Sequence, residues 1–500
     1  MKKTVLIYIL MIVSVSSYYT VAQETAIELD LLTTVQIAND SSLASFRAKN
    51  SYVASHWEYR AFKANRLPSL SLYLTPMSYN RDYIQRYDSE QNIDVYRRQQ
   101  SFYSYGNLAV QQNLDITGGT FFIDSELGYI RNLGDQAYSQ FSSVPVRVGY
   151  RQNLIGYNPF KWEKRIAPVR YERARQELIY QLEHTAELAT SYFFELAMAQ
   201  AEHELALENV ASSDTLYGIG VEKFKIASIG QADLLTLELD RVNARNSLQN
   251  AEINLKRSMF ALAAYLNMDP NTYITLSLPD YPDEVLIPEE EALRLARENN
   301  PRYLESKEQV LISEQNLERT KIESYFNAGL SASIGFNQVA ESFRSAYQNP
   351  LQQDIVSLTL SIPLVDWGVR KGRHNMARSN LNITRLTARE NEVRLEEDVL
   401  MTVGDFSVQQ QLINSAREAM ELAQLAYEQT RERFIIGKAD INSLTLSTNR
   451  HQQARRNYIS SMKNYWQSYF KLRKLTLYDF ENRIPIAEAF EWSTGGTLMN

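Results

Sequence analysis

The side chains that could carry out chemistry are few in this sequence and do not form a catalytic or metal-binding pattern. Five histidines are scattered singly, without the HExxH or similar spacing that binds zinc. These are His56, His184, His203, His374 and His451. The pair Gly437-Lys438 lacks the earlier glycine of a phosphate-binding loop, and the chain has no Gly-x-Ser-x-Gly elbow and no cysteine. We therefore expect neither an enzyme nor a bound cofactor.

Net charge and the N-terminus indicate where the chain works. A formal net charge of −7 argues against nucleic acid as a partner. Lys2 and Lys3 precede an apolar run, and Thr20-Val21-Ala22 provides small residues before a cut, which is typical of a secretory signal peptide. A membrane anchor is the alternative, but the run is well short of the roughly 20 apolar residues that such a helix needs. We expect residues 1–22 to be removed.

The elements that must position the remaining side chains occur twice. Identical residues recur 210 positions later without a gap. They are Tyr217, Glu222, Phe224, Ile226, Leu234, Ala244, Arg245, Ser258, Phe260 and Leu262, and then Tyr427, Glu432, Phe434, Ile436, Leu444, Ala454, Arg455, Ser468, Phe470 and Leu472. Such repetition indicates two copies of one unit, each with a helix, strands and a long helical hairpin. We predict a first repeat at 23–270, a second at 271–480 and a C-terminal tail at 481–500.

Long helices are predicted in both repeats. In the second, large apolar residues recur with the heptad spacing of a coiled-coil seam. They are Val399, Phe406, Ile413, Met420, Tyr427 and Phe434. In the first repeat Leu182, Ala189 and Leu196 lie on one heptad line, and a helix from about residue 162 to 224 would be roughly 90 Å long. This length favours a wall of packed helices over a compact core, and a dimeric coiled-coil stalk is the alternative.

Alternating segments in each repeat predict strands. Val356, Leu358 and Leu360 alternate with small polar residues, and the same pattern near Val148 would place Arg147 and Arg151 on the polar face. An apolar outer face and a polar inner face are typical of outer-membrane barrels, although a soluble sandwich also alternates. Tyrosines crowd the first strand region, as they do in the aromatic girdles at lipid headgroups. This context favours the barrel.

The first repeat holds a further hairpin at 107–116 and 121–130, joined at Thr117-Gly118-Gly119. The pattern leaves open whether this hairpin joins the barrel wall or projects from it. It gives four candidate strands in the first repeat and two in the second. The smallest known membrane barrels have about eight strands, so the barrel must be shared between chains. A ring of three chains would contain an even total of about 12 or 18 strands.

Two rods with a tip, strands between them, a duplication and a signal peptide together resemble the TolC family of outer-membrane channels. The second tip, 434–440, has the sequence Phe-Ile-Ile-Gly-Lys-Ala-Asp, similar to the family's aromatic-x-x-Gly turn before a helix start. The first tip, 224–230, carries Ala227 at the glycine position. Residues 361–370, Ser-Ile-Pro-Leu-Val-Asp-Trp-Gly-Val-Arg, resemble the family's strand-to-helix segment.

The resemblance implies a mixed α and β fold with a transmembrane β-barrel shared between chains and a long α-helical coiled-coil barrel. It implies a homotrimer in the outer membrane of a Gram-negative bacterium that extends into the periplasm and contacts outer-membrane lipid. Its further partners would be a periplasmic adaptor (membrane fusion) protein and an inner-membrane pump. By the same resemblance the tips would dock on the adaptor through Ile226, Ala227, Ser228, Ile436, Gly437 and Lys438.

The resemblance also implies a gate, at which this chain departs from the family. Well-studied members narrow the periplasmic mouth with an acidic pair of the second repeat, but Ser443 and Leu446 occupy the matching positions here. Asp233 keeps an acid at the place equivalent to Ser443, and Asp440 lies one turn away. We expect Asp233, Asp440 and Ser443 at the gate, and the alternative for Asp440 is an N-cap of the returning helix.

The function expected from these features is the exit duct of a tripartite efflux pump or of a type I secretion system. A non-conducting periplasmic coiled-coil protein is the alternative, but it has no use for alternating, tyrosine-rich strands inside each repeat. A periplasmic adaptor would have one helical hairpin flanked by β-domains, whereas this sequence has two hairpins.

Overall fold

A computed structural model of the protein describes residues 27–88, 90–133, 137–280, 285–436 and 438–488. The expected signal peptide, Gly437 and the end of the expected tail lie outside these residues. The chain divides into two units. The hairpin unit comprises the residues up to Tyr52, Gln176–Asn300 and the residues from Arg394 onward. The sheet unit comprises Val53–Arg175 and Pro301–Val393, so each unit contains residues of both repeats.

Long helices and long strands follow one another along the described residues. The helices are α1 (Leu31–Ser41), α2 (Leu43–Ala64), α3 (Pro159–Lys225), α4 (Gln231–Tyr265), α5 (Glu289–Asn299), α6 (Pro301–Glu323), α7 (Val369–Ile435) and α8 (Ile441–Thr476). The strands are β1 (Ile27–Leu29), β2 (Ser69–Asp88), β3 (Ile93–Asn113), β4 (Thr120–Leu133), β5 (Tyr138–Ile155), β6 (Ile274–Leu276), β7 (Asn327–Ala340), β8 (Leu351–Ser361), β9 (Tyr478–Asp479) and β10 (Ile484–Pro485). Among the described residues, no helix combines the length and the apolar composition needed to cross a membrane.

One antiparallel sheet of six strands forms the sheet unit, in the order β2-β3-β4-β5-β7-β8. The further hairpin of the first repeat joins this sheet, because β3 pairs with both β2 and β4. The strands of this hairpin differ from the predicted ranges. Strand β3 starts earlier, at Ile93, and ends at Asn113, since residues 114–119 form the turn.

The two faces of this sheet differ as the alternation predicts. Leu70, Leu72 and Leu74 on one face are well exposed. On the other face Asp124 is buried, and Arg147 binds it, with 3.1 Å between Arg147 Nε and Asp124 Oδ1. The guanidinium of Arg151 lies 4.4 Å from the ring centroid of Phe122. The predicted polar face thus holds both arginines, and the apolar face is the one left uncovered.

Heptad residues form the core of the hairpin unit. Val399, Phe406 and Ile413 are buried, as are Leu182, Ala189 and Leu196 of the first repeat. Phe193 and Phe194 of α3 join Phe406 of α7 and the aromatic rings of α8 in one cluster. These residues are buried because a seven-residue spacing keeps them on the same face of each helix, toward its neighbours. Apolar burial of this kind contributes roughly 1.5–3 kcal/mol for each large side chain.

Ion pairs join α3 of the first repeat to α8 of the second. Acids of α3 meet bases of α8 at Glu183–Arg473, Glu187–Lys474, Glu195–Lys463, Glu202–Arg456 and Glu204–Arg455. The pair at Arg473 is the most buried: its Nε and Nη2 lie 2.9 and 3.0 Å from the Glu183 oxygens, and Nη1 lies 2.8 Å from Asp479. Nearby carboxylates raise the pKa of Arg473 although burial opposes its charge. This seam fixes which helices of the two repeats are neighbours.

Candidate functional site

The two helix-hairpin tips are built alike. Helix α3 ends at Lys225 and α4 begins at Gln231, whereas α7 ends at Ile435 and α8 begins at Ile441. In each tip a backbone hydrogen bond closes the end of the incoming helix, from Ser228 N–H to the Lys223 carbonyl at 2.9 Å and from Lys438 N–H to the Arg433 carbonyl at 2.8 Å. Bonds of this span are typical of helix ends that turn through a left-handed residue.

Ala227 is the left-handed residue of the first tip, with a φ of 54°. Only glycine adopts this conformation without steric cost, because a Cβ approaches the following carbonyl. The sequence places Ala227 at the position equivalent to Gly437 of the second tip. The first tip therefore stores strain that a glycine would remove.

The tips expose apolar side chains. Ile226 is 75 % exposed and its equivalent Ile436 is 64 % exposed, while Ala227, Ser228 and Lys438 are exposed as well. The structure thus leaves these residues of the expected docking surface accessible in the chain, and Gly437 lies outside the described residues. The exposed isoleucines leave a small apolar surface beside each tight turn.

The aromatic residues that precede the tips are not equivalent. Phe224 is 42 % exposed, whereas Phe434 is 5 % exposed. Phe434 is covered in part by Lys223 of the first repeat, whose Nζ lies 5.3 Å from its ring centroid. Identical residues therefore lie in different surroundings, because each hairpin packs against the other and the two have different neighbours.

Both acids of the expected gate cap a returning helix. Asp440 is the N-cap of α8, and its Oδ1 accepts from the Ser443 N–H at 2.7 Å. Hydrogen bonds from the side chain and backbone of Ser443 lower the pKa of Asp440, which stays exposed. Asp233 lies in the first turn of α4, where its Oδ2 accepts from the Gly230 N–H at 3.1 Å. The structure brings Asp440 and Ser443 together, and it places Asp233 at the start of a different helix.

Each repeat therefore has one acid at the start of its returning helix, in the first turn at Asp233 and at the N-cap at Asp440. Asp233 is equivalent to Ser443, and Asp440 is equivalent to Gly230. Both carboxylates satisfy backbone N–H groups that have no partner within the helix. They also lie where the helix dipole favours negative charge. A capping role for Asp440 is thus supported by its geometry, and capping leaves the carboxylate exposed to solvent beside the tip.

A stacked pair of side chains lies behind each tip, and only the tyrosine of each pair is identical between the repeats. The guanidinium of Arg241 lies 4.1 Å from the ring centroid of Tyr217, and the ring of His451 stacks on Tyr427. Both members of the second pair come 210 positions after those of the first. The sequence indicates these pairs through a flat nitrogen-bearing side chain 24 positions after each tyrosine. It was missed because Arg241 and His451 differ in type.

His451 borders a cavity of about 940 Å³ in the hairpin unit. Acidic and basic side chains line it, among them Glu204, Glu208, Glu428, Arg431, His451 and Arg455. Burial lowers the pKa of His451, and Arg455 acts in the same direction against Glu208 and Glu428. Because charges of both signs line the cavity, it favours neither an anion nor a cation.

A sequence-family model matches a segment in the second half of the chain. The family model described as outer membrane efflux protein matches residues 293–476. This match includes α6, both strands of the second repeat, α7 and α8 with the second tip. A comparison with curated protein sequences finds no match.

Solved structures extend the likeness to nearly the whole chain. The CmeC outer membrane channel of Campylobacter jejuni is similar with a TM-score of 0.65 at 13 % identity, over 93 % of this chain and 89 % of that one. The outer membrane protein VceC of Vibrio cholerae has a TM-score of 0.58 at 14 % identity, over 89 % of this chain and 95 % of that one. The MtrE outer membrane channel of Neisseria gonorrhoeae has a TM-score of 0.59 at 12 % identity, over 89 % of this chain and 88 % of that one.

At such low identity the structural likeness establishes the fold alone. The family model shows a sequence likeness over residues 293–476. Both agree with the resemblance that the tips and the duplication predicted. Residues 293–476 thus match the outer membrane efflux protein model, and the chain as a whole has the fold of TolC-like channels.

Proposed function

We propose that this chain is one protomer of a homotrimeric outer-membrane channel-tunnel, the exit duct of a tripartite efflux pump or of a type I secretion system. The observation that carries the proposal is the sheet of six strands with its two outer strands, β2 and β8. Within the part of the chain that the structure describes, no further strand extends the sheet beyond either of them. Unpaired sheet edges are costly in a membrane, and a barrel removes them.

Three copies would close the barrel. Six strands from one chain are fewer than the roughly eight of the smallest known membrane barrels, whereas three chains would supply about 18. In such a ring β8 of one protomer pairs with β2 of the next, and cyclic symmetry repeats the same contact three times. The exposed leucines of the sheet would then face lipid, and the face with Arg147 would line the lumen.

The trimer can be tested by cysteine cross-linking, since the chain has no cysteine of its own. Ser71→Cys in β2 is combined in turn with Ser357→Cys, Thr359→Cys or Ser361→Cys in β8, all on the polar face. We expect one combination to give covalent dimers and trimers on oxidation, with the protein in the outer-membrane fraction. The control combines Ser71→Cys with Ser331→Cys on the inner strand β7, which should not cross-link. Monomers throughout, with recovery from the periplasm, would favour the coiled-coil structural protein instead.

The tips are proposed to dock on a periplasmic adaptor protein that links the channel to an inner-membrane pump. Support comes from the exposure of Ile226 and Ile436 and from the tight turns that let another helix approach the backbone. Gly437→Trp should block cross-linking to the adaptor and export while leaving the trimer folded, because the indole fills the space of the approaching helix. Gly404→Trp on α7 is the control, since a Cβ there meets no atom within 4 Å. If Gly437→Trp leaves adaptor cross-linking unchanged, the tips are not the docking surface.

The gate is proposed to lie at the same end, with Asp233 as the main source of charge and Asp440 and Ser443 as neighbours. Three copies of Asp233 in a narrow mouth would attract cations and repel anions. Its carboxylate is exposed although it caps α4. The charge is thus available to a passing ion.

A further inference from the structure

Strands β2 and β3 continue beyond the rest of the sheet. Pairing between β3 and β4 stops at Gln100 and Leu133, whereas pairing between β2 and β3 runs on to Asp88 and Ile93. The stretch beyond Gln100 is therefore a two-stranded ribbon that projects roughly 20 Å past its neighbour, at about 3.3 Å per residue. It lies at the end of the strands opposite to Ser69 and Asn113, which lead to helices or to the turn before β4.

One face of this ribbon continues the exposed leucine face of the sheet. Paired residues share a face, and β3 keeps its alternation from Leu108 through Gln100 because its pairing with β4 is unbroken. The bulge at Thr75 and Ser78 lies in β2. Beyond it the pairs on the leucine side are Tyr79–Phe102, Arg81–Gln100, Tyr83–Arg98, Gln85–Tyr96 and Tyr87–Asp94. We call these ten residues the Tyr-Arg face.

The type of side chain changes in a regular order along the Tyr-Arg face. Leu72 and Leu108 come first, and the rings of Tyr79 and Phe102 follow, with centroids 5.2 Å apart. Arg81 and Gln100 come next, followed by Arg98 with Tyr83 directly opposite it. Tyr96 and Tyr87 lie farther out, and all three tyrosines have more than half of their surface exposed. The order is hydrocarbon, aromatic, cation and then aromatic again.

Two guanidinium groups of the face are held together without an acid. With the Gln100 amide oriented to satisfy its neighbours, its oxygen accepts from Arg81 Nε at 3.0 Å and from Arg98 Nε at 3.2 Å. Neither arginine contacts a carboxylate among the described residues. Arg131 of β4 pairs with Phe102 and is exposed on the same side. Three positive charges therefore gather beside and just beyond the Tyr79–Phe102 pair, and the single acid of the face, Asp94, lies at its far end.

We propose that the Tyr-Arg face binds the phosphorylated saccharide headgroup of the glycolipid in the outer leaflet of the same membrane. The inference rests on the proposed function, which puts the leucines of this face in the hydrocarbon layer. Tyr79 and Phe102 then lie at the interface, and the guanidiniums reach the height of the headgroup phosphates. Arginine forks bind phosphate through two parallel hydrogen bonds, which suits Arg81 and Arg98.

The tyrosines beside and beyond Arg98 fit the saccharide that follows the phosphates. Tyr83 and Tyr96 present an apolar ring and a hydroxyl, which can cover a sugar ring and bond its hydroxyls. A protein partner would need no gradient from leucine to arginine along one face. The charge and its position relative to the leucines therefore favour a headgroup anchored in the membrane.

The test is a titration of the detergent-solubilised trimer with fluorescent diphosphoryl lipid A. Arg81→Gln/Arg98→Gln should weaken binding about tenfold or more, because the charge-assisted hydrogen bonds are lost. A matched pair of isosteric changes locates the site. Gln100→Glu on the Tyr-Arg face should weaken binding, since the new carboxylate pairs with both arginines. Asn80 pairs with Ser101, and both lie on the opposite face of the ribbon. Asn80→Asp should therefore leave binding unchanged.

Two further arms distinguish the ligand. Lipid A stripped of phosphate should bind about tenfold more weakly, and phosphatidylglycerol should not compete at equal concentration. Equal binding of dephosphorylated lipid A, equal effects of Gln100→Glu and Asn80→Asp, or full competition by phosphatidylglycerol would each overturn the inference. Failure of the proposed function is a separate outcome, since it would appear as absence from the outer membrane and loss of the cross-linked trimer.

Discussion

The imidazole ring of His451 lies parallel to the phenol ring of Tyr427, with centroids 5.2 Å apart and an interplanar angle of 7°. The equivalent tyrosine of the first repeat, Tyr217, is covered by Arg241. Both repeats thus keep a flat nitrogen-bearing group on the same tyrosine, at the point where the returning helix passes the incoming one. Of the two stacked pairs, only the pair of the second repeat contains an imidazole, the side chain that can change charge near neutral pH.

The first prediction is a pH dependence from His451. Its pKa is lowered in the folded chain, chiefly by burial, so below about pH 6.5 the unfolded imidazole binds a proton that the folded one resists. Stability should therefore fall as the pH falls through this window. His451→Arg and His451→Phe should both reduce this loss, because neither titrates there. Thermal unfolding midpoints at about pH 7.5 and 5 measure the effect, and an unchanged difference in both variants would contradict it.

The second prediction is that Ala227→Gly stabilises the first tip. Ala227 has a φ of 54°, which costs about 1 kcal/mol with a Cβ and little without one. We expect slower hydrogen exchange of the amides at 223–230. Ala426→Gly, at an exposed position inside α7, is the matched control and should destabilise its helix by about 1 kcal/mol. Faster exchange at the first tip in Ala227→Gly would show that the turn does not store this strain.

The third prediction separates pore charge from helix capping. Asparagine caps nearly as well as aspartate, so Asp440→Asn should keep the start of α8 intact, whereas Asp440→Ala should loosen it. Asp233→Asn should lower cation selectivity and weaken block by multivalent cations in planar bilayers. Hydrogen exchange of the first turn of α8 measures capping. A change of selectivity in Asp440→Asn with none in Asp233→Asn would move the constriction to the second repeat.

The lowered pKa of Asp440 also predicts how the stability of this helix start changes with pH. A carboxylate whose pKa is depressed by folding stabilises above its unfolded pKa, and this stabilisation is lost as the pH falls through the folded value. Acid should therefore fray the start of α8 in the wild type and change Asp440→Asn less. Equal acid sensitivity of both proteins would indicate that other groups control this end of the helix.

The fourth prediction concerns the seam between the repeats. Arg473→Met leaves Glu183 buried without its partner, which should cost about 3–5 kcal/mol of unfolding free energy. The double variant Arg473→Met/Glu183→Gln should lose less than the sum of the single changes. Lys225→Ala, which breaks the exposed pair with Glu222, is the control and should cost less than about 1 kcal/mol. Additive losses in the double variant would show that Arg473 acts through Asp479 rather than Glu183.

Periodicity in the sequence determined the helices and the strands. Heptad spacing placed Val399, Phe406 and Ile413 on one face of α7, and alternation placed Arg147 opposite the apolar face of its strand. These patterns are local, because one helix or strand decides which way its side chains point. The resemblance of the tips to the TolC family gave the fold that the comparisons confirm.

Partners that are distant along the chain were decided by the tertiary structure. The sequence left open where the further hairpin lies, and pairing of β3 with both β2 and β4 places it in the sheet. Identical Phe224 and Phe434 differ in burial, and identical Arg245 and Arg455 bind acids of different helix pairs, at Asp214 and Glu204. A duplicated sequence predicts equal local structure. It cannot predict equal surroundings, because the two hairpins pack against each other and so meet different neighbours.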